Sequence, residues 1–114
     1  MKKIYIAGPY DGKNVIEVLG NIRRGLQMAR TLMGLGFAVF CPFLDFLIAF
    51  MGEDLPIEMY RANSLEWVKA CDAVILLPGW ENSGGVKAEI DLALNLRVPV
   101  FDNVEMLVDW SRGG

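Results

Sequence analysis

A carboxylate on the apolar side of a helix is the residue best placed to do chemistry in this chain. Glu89 shares its helical face with Gly85, Leu92, Ala93 and Leu96, whereas Lys87, Asp91 and Asn95 fall on the polar face. Helical side chains lean toward the N-terminus, so this carboxylate points back at the loop Asn82-Ser83-Gly84-Gly85. Small residues opening a helix leave backbone N–H groups available to a phosphate or a sugar hydroxyl. The same residues also serve as an ordinary N-cap by Asn82 or Ser83. A glutamate near a first turn equally complements the helix dipole. Spacing alone leaves both readings open.

Other groups could join it. Tyr5 lies inside an apolar run, either as a core aromatic or, near a strand's end, with its hydroxyl aimed into a crevice. Gly8-Pro9-Tyr10-Asp11-Gly12 is a tight loop that lets a ligand approach the backbone, without the spacing of a dinucleotide fingerprint or the lysine of a P-loop. Ser64 sits on the apolar stripe of its helix, where a hydroxyl bonded to a backbone carbonyl is the plain alternative to a polar role. Arg23 and Arg24, with Lys13, form a basic cluster near the crevice side, as a solvated face or a phosphate contact. Trp80, Phe43, Phe46 and Phe50 are core or interface aromatics, or the stacking wall that a nucleobase pocket needs. There is no histidine, which removes Ser-His-Asp and Cys-His chemistry and leaves acid–base work to carboxylates, tyrosine or water.

The elements that must hold these groups alternate. Lys3 to Ala7 reads as a strand, followed by the turn-rich Gly8–Asn14. Val15, Val18, Leu19, Ile22, Leu26, Ala29 and Met33 follow helical spacing up to Gly34 and Gly36. Phe37 to Phe40 is a second strand. Phe43 to Asp54 is ambiguous between a short helix, a subunit contact and a lid. Pro56 suits the first turn of a helix striped by Ile57, Tyr60, Arg61, Ser64, Leu65 and Val68. Ala73–Leu77 is a third strand and Val98–Phe101 a fourth. The Glu89 helix lies between them, and Val104–Trp110 forms a closing helix. Such alternation predicts a flavodoxin-like, doubly wound parallel sheet in a three-layer α/β/α sandwich, with strand order 2-1-3-4 and room for a fifth element. In that order strands one and three are neighbours, and ligands bind outside their carboxyl ends. The two most turn-rich loops, Gly8–Asn14 and Pro78–Gly85, then face one crevice.

Composition narrows the partners. The chain has 114 residues and reads as a single domain, 54% of it hydrophobic, so the sheet is covered on both faces or apolar surface is shared between subunits. Phe43 to Met51, the longest apolar stretch, is interrupted by Asp45 and too short to span a bilayer. The two N-terminal lysines precede a strand rather than a signal sequence, so a cytoplasmic location is expected. Cys41 and Cys71 lack metal-ligand spacing and fit two buried thiols in a reducing compartment. A net charge of −3 argues against a nucleic-acid polymer as partner, though not against a single nucleotide.

Three blocks together resemble the nucleoside 2-deoxyribosyltransferase-like superfamily, which includes the 2′-deoxynucleoside 5′-phosphate N-hydrolases. They are Ile4-Tyr5-Ile6-Ala7-Gly8-Pro9-Tyr10, Ser64-Leu65-Glu66-Trp67, and Cys71-Asp72-Ala73 through Glu89. The resemblance implies that Glu89 is a nucleophile for the anomeric carbon and that the Tyr5 hydroxyl helps position it. It implies that Ser83 and the amides of Gly84 and Gly85 hold the sugar's 5′ end or its phosphate, and that Gly8 to Gly12 line the other side. A covalent glycosyl intermediate, passed to a base or to water, needs neither metal nor cofactor. The family often places an acidic residue where this chain has Ser64; Asp45, Asp72 and Asp11 are the possible substitutes. A homodimer or larger homo-oligomer is also implied, because such pockets are completed by a neighbouring subunit. Two other readings remain: a nucleotide-binding module without turnover, and a relative of the cytokinin-activating phosphoribohydrolases, which share a Pro-Gly…Gly…Glu block.

Overall fold

A computed structural model describes residues 1–49, 51–52 and 55–113, with the side chains of residues 44, 46 and 49 set aside. Phe50 and the Phe46 side chain, read above as aromatic-wall candidates, lie outside the described residues. Four strands, β1 (Lys3–Ala7), β2 (Ala38–Phe40), β3 (Ala73–Leu76) and β4 (Val100–Phe101), alternate with helices α1 (Val15–Gly34), α2 (Asp45–Ala49), α3 (Ile57–Ala70), α4 (Gly84–Asn95) and α5 (Val104–Ser111). Short 3-10 turns at Pro42–Leu44 and Trp80–Asn82 lead into α2 and α4. The ambiguous segment after β2 thus begins as a turn and a short helix.

The strands form one parallel sheet in the order β2-β1-β3-β4. Tyr5 pairs with Phe40 on one side and with Val74 on the other. Side chains of a strand alternate between faces, and two cores follow from that alternation. Ile4, Ile6, Ala73 and Ile75 pack with Leu32 of α1 and Leu107 of α5. Tyr5, Ala7, Val74 and Leu76 pack instead with Val68 of α3 and with Val86 and Ala93 of α4. The result is the flavodoxin-like, three-layer sandwich expected from the alternating pattern. Among the described residues the sheet has four strands, and the chain closes with the helix α5.

The last strand is shorter than its apolar run suggests. Val98 spends its N–H on Ala93 O at 2.8 Å, closing α4, and Pro99 has no N–H to give the ladder. Pro56 is the cap before α3 rather than part of its first turn.

The face of α1 also differs from its most regular stripe. Asn21, Gly25 and Leu32 are its buried residues, whereas Val15, Leu19, Leu26 and Met33 are exposed. Two contacts rotate the helix this way. A Cβ on Gly25 would lie 2.5 Å from Phe43 Cδ2, so glycine alone admits that ring. Asn21 is needed below the loop after β1, as described below. The displaced half of the apolar stripe is left at the surface. No helix among the described residues is long and apolar enough to cross a membrane.

Candidate active site

The loops after β1, β2 and β3 all leave the carboxyl ends of neighbouring strands, and a cleft of about 590 Å³ opens between them. Gly8, Pro9, Tyr10 and Asp11 come from the first loop; Pro42, Phe43 and Asp45 come from the second. Asn82, Ser83, Gly84 and Gly85 come from the third, and Glu89 lies one turn deeper in α4. Leu55, Ile57, Tyr60, Arg61 and Ser64 close the side formed by α3 and the chain entering it.

Each wall has a local cause. Gly8 lies against Leu77 so closely that a Cβ would meet its side chain at 2.7 Å, which sets the exit of β1 tight against β3. Asn21 then pins the loop: its Nδ2 donates to the carbonyls of Tyr10 and Asp11, both at 3.1 Å. Arg24 donates to the Asn21 Oδ1 in turn. A buried asparagine inside a helix must find partners, and Asn21 finds them in the loop that lines the cleft. Ser83 caps α4, its Oγ accepting from Val86 N–H at 3.3 Å. That leaves the amides of Gly84 and Gly85 in the first turn, where the helix supplies no acceptor. The capping and ligand-facing readings of this loop are therefore compatible.

Glu89 reaches back beneath this turn. Its Oε2 and the Tyr5 Oη are both buried, and neither has a hydrogen-bond partner among the described residues. Tyr5 is held rigidly from behind by a stack of rings, 5.6 Å to Phe40 and from there 4.7 Å to Trp67. The two oxygens nevertheless act on each other. Burial pushes the Glu89 carboxyl from 4.5 up to about 7; the Tyr5 hydroxyl draws it down, and the charge of Asp45 pushes it further up. Burial raises the Tyr5 hydroxyl far above its ordinary value, with the Glu89 charge next in weight and the Ser64 hydroxyl opposing. The two side chains thus lie close together at the cleft, without a formed hydrogen bond at the Glu89 Oε2 or the Tyr5 Oη. Tyr5 stays protonated at any ordinary pH and can only donate to an ionised Glu89. Burial also raises Asp45.

The structure brings together Glu89, Tyr5 and Ser64, and it lines the same cleft with Gly8, Pro9, Tyr10, Ser83, Gly84 and Gly85. Two other sequence candidates sit elsewhere. Trp80 packs against the core on the α3–α4 side, and Gly12 folds back on Glu17. Of the three substitute acids, Asp45 and Asp11 line the cleft. Asp72 accepts from Lys3 N–H at 2.8 Å at the opposite end of the sheet. The basic cluster is also displaced. Arg24 is engaged with Asn21, and Arg23 lies in a shallow groove on α1, so Arg61 is the cation at the cleft among its described lining residues.

Sequence reasoning missed Asn21 and the roles of Leu55 and Arg61. Asn21 had a signal, a lone amide at the helical phase of Gly25 and Leu32. Both cysteines are buried, and burial raises both thiols, Cys71 to about 11 with help from Asp72. Among the described residues no group of three or more metal-ligating side chains is assembled.

One family of sequences matches most of this chain. The model of DUF4406, a domain of unknown function, covers residues 2–102, from the start of β1 through β4. No curated protein matches.

Proposed function

We propose, for a chain that belongs to the DUF4406 family, cleavage or transfer at the N-glycosidic bond of a (deoxy)nucleoside or its 5′-monophosphate. The step runs through a covalent glycosyl intermediate on Glu89. The observation that carries this reading is the buried Oε2 of Glu89, without a hydrogen-bond partner among the described residues, at the cleft beside the equally unpartnered Tyr5 hydroxyl. An unsatisfied buried oxygen costs about 1–3 kcal/mol, and a fold retains that cost most readily where the group has work to do.

In this reading Glu89 attacks the anomeric carbon as the base leaves, and Tyr5 holds the carboxylate in line. Ser83 and the Gly84 and Gly85 amides take the sugar's 5′ end or its phosphate. Gly8, Pro9 and Tyr10 line the facing wall, and Phe43, Leu55 and Ile57 offer the flat base an apolar surface. Water or a second base then displaces the sugar from Glu89. The meeting of Glu89, Ser64, Ser83, Gly84 and Gly85 in one cleft, with Tyr5 beside them, supports a likeness to the nucleoside 2-deoxyribosyltransferase-like superfamily.

The test is to incubate the protein with deoxynucleosides, ribonucleosides and their 5′-monophosphates and to follow free base. Release from deoxynucleosides or their monophosphates is the expected result. Preference for ribose monophosphates would move the reading to a phosphoribohydrolase. Thermal stabilisation by a nucleotide with no base released would leave a binding module, the reading that Ser64 in place of an acid favours.

A second copy of the chain is the proposed partner. Apolar side chains stand exposed on α1 at Val15, Leu19, Leu26 and Met33, and around α2 at Leu47, Ile48 and Met51. So many exposed large apolar side chains on one small domain are costly to leave in water. Light scattering on the purified protein is expected to give at least a dimer mass, and a monomer at micromolar concentration would overturn this.

A further inference from the structure

Among the described residues three carboxyl groups line the cleft, and the sheet order decides how they face a ligand. Glu89 enters from the β3 side of β1, and Asp45 enters from the β2 side. A ligand seated over the end of β1 therefore lies between them. Asp11 belongs to the exposed loop directly above β1. The turn that leads into Asp45 is anchored two residues earlier, where Phe43 is buried and wedged against Gly25 of α1. The apolar residues that suit a base, Phe43, Leu55 and Ile57, share the cleft with Asp45.

Breaking an N-glycosidic bond with one carboxylate leaves half of the chemistry undone. The nucleophile handles the sugar, but an unprotonated base is a poor leaving group, and glycoside cleavage ordinarily uses a second carboxyl for the departing atom. Ser64, the neighbour of Tyr5, cannot supply this proton at neutral pH, because a serine hydroxyl is far too weak an acid. Asp45 is half-buried, and burial favours its protonated form. Asp45, Ser64 and Glu89 line one cleft, and the charge of Asp45 adds to the upward push on both Glu89 and Tyr5.

We propose that Asp45 is the second catalytic carboxyl, protonating the departing base and then taking a proton from the water that releases the sugar. The proposal rests on the reading of Glu89 as nucleophile. In the first half-reaction the bond from C1′ to the base nitrogen breaks. Its electron pair stays with the base, and the Asp45 proton goes to a ring nitrogen. A Glu89 oxygen bonds to C1′ as the base leaves. In the second half-reaction a water oxygen bonds to C1′ and gives its proton to the Asp45 carboxylate. The bond from C1′ to Glu89 breaks, and both carboxyls return to their starting states.

The experiment compares two leaving groups in the parent and in Asp45→Asn. One substrate is 2′-deoxyguanosine 5′-monophosphate, and the other is its N7-methylated form, whose base carries a positive charge and departs without taking a proton. On the unmodified substrate Asp45→Asn is expected to lose about a hundredfold to ten-thousandfold in kcat/KM. On the methylated substrate the loss should be at least tenfold smaller, and that residual turnover also shows that the variant is folded. Equal losses on both substrates, or no loss on either, would overturn the role of Asp45 while leaving Glu89 in place. Base released by the parent from neither substrate would overturn the N-glycosidic reading itself, and the Asp45 proposal with it.

Discussion

Glu89→Gln is expected to reduce base release by at least about a thousandfold, the scale on which removal of a covalent nucleophile is felt. Glutamine keeps the size of the side chain, so the cleft and the α4 cap at Ser83 stay as they are, and the amide cannot form a stable ester with the sugar. The pH profile of the parent carries a second signature. On the proposed mechanism Glu89 must be ionised to attack, and burial raises its carboxyl to about 7. Its kcat/KM should therefore rise with pH through about 7, an acid limb well above that of an ordinary glutamate. A limb near 4.5, or a Glu89→Gln variant as active as the parent, would show that another group does the chemistry.

The same substitution is expected to stabilise the protein where the parent is most burdened. A carboxyl whose folded value exceeds its unfolded one keeps its proton in the folded state after the unfolded chain has lost it. Stability is then unaffected below 4.5, falls as pH rises toward 7, and stays lowered above that. The lift from 4.5 to about 7 corresponds to about 3 kcal/mol at 1.36 kcal/mol per tenfold change. Glutamine does not ionise, so Glu89→Gln should gain up to about 3 kcal/mol relative to the parent between pH 4.5 and pH 8. Urea denaturation of both proteins across that range measures the difference. A gap that does not change with pH would mean that water reaches the carboxyl. Opposite effects of one substitution on activity and stability are the mark of a group kept at a cost to the fold.

Most of the framework was legible because it is written in local periods. The apolar runs Ile4-Tyr5-Ile6-Ala7 and Ala73 to Leu76 made strands, and the cap at Ser83 made a helix start. The order β2-β1-β3-β4 followed because parallel strands joined by helices have few ways to wind. The boundaries were less legible where a backbone group was spent elsewhere. The N–H of Val98 closed α4 and was lost to β4.

The site was legible in part for the same reason. Glu89, Ser83, Gly84 and Gly85 lie within one loop and two helical turns, so their proximity is local. Tyr5 needed the switch point between β1 and β3, which the topology supplied. Arg61 was legible as a helix residue but not as a cleft residue. Asn21 was hidden because its helix has a more regular apolar stripe on another side. That stripe, from Val15 to Met33, is the better amphipathic pattern, and packing set half of it aside.

By itself, then, the sequence determined the elements, their winding and the carboxylate at the start of α4, since each follows from spacing, capping and connection length. The tertiary structure decided what the sequence left open. It turned α1 on the contact of Gly25 with Phe43 and buried Asn21 beneath the first loop. It placed Asp72 at the far end of the sheet and Asp45 at the cleft. The physical reason is that these outcomes depend on close packing and burial between segments distant in the chain. The local pattern of any one of those segments carries no record of the other.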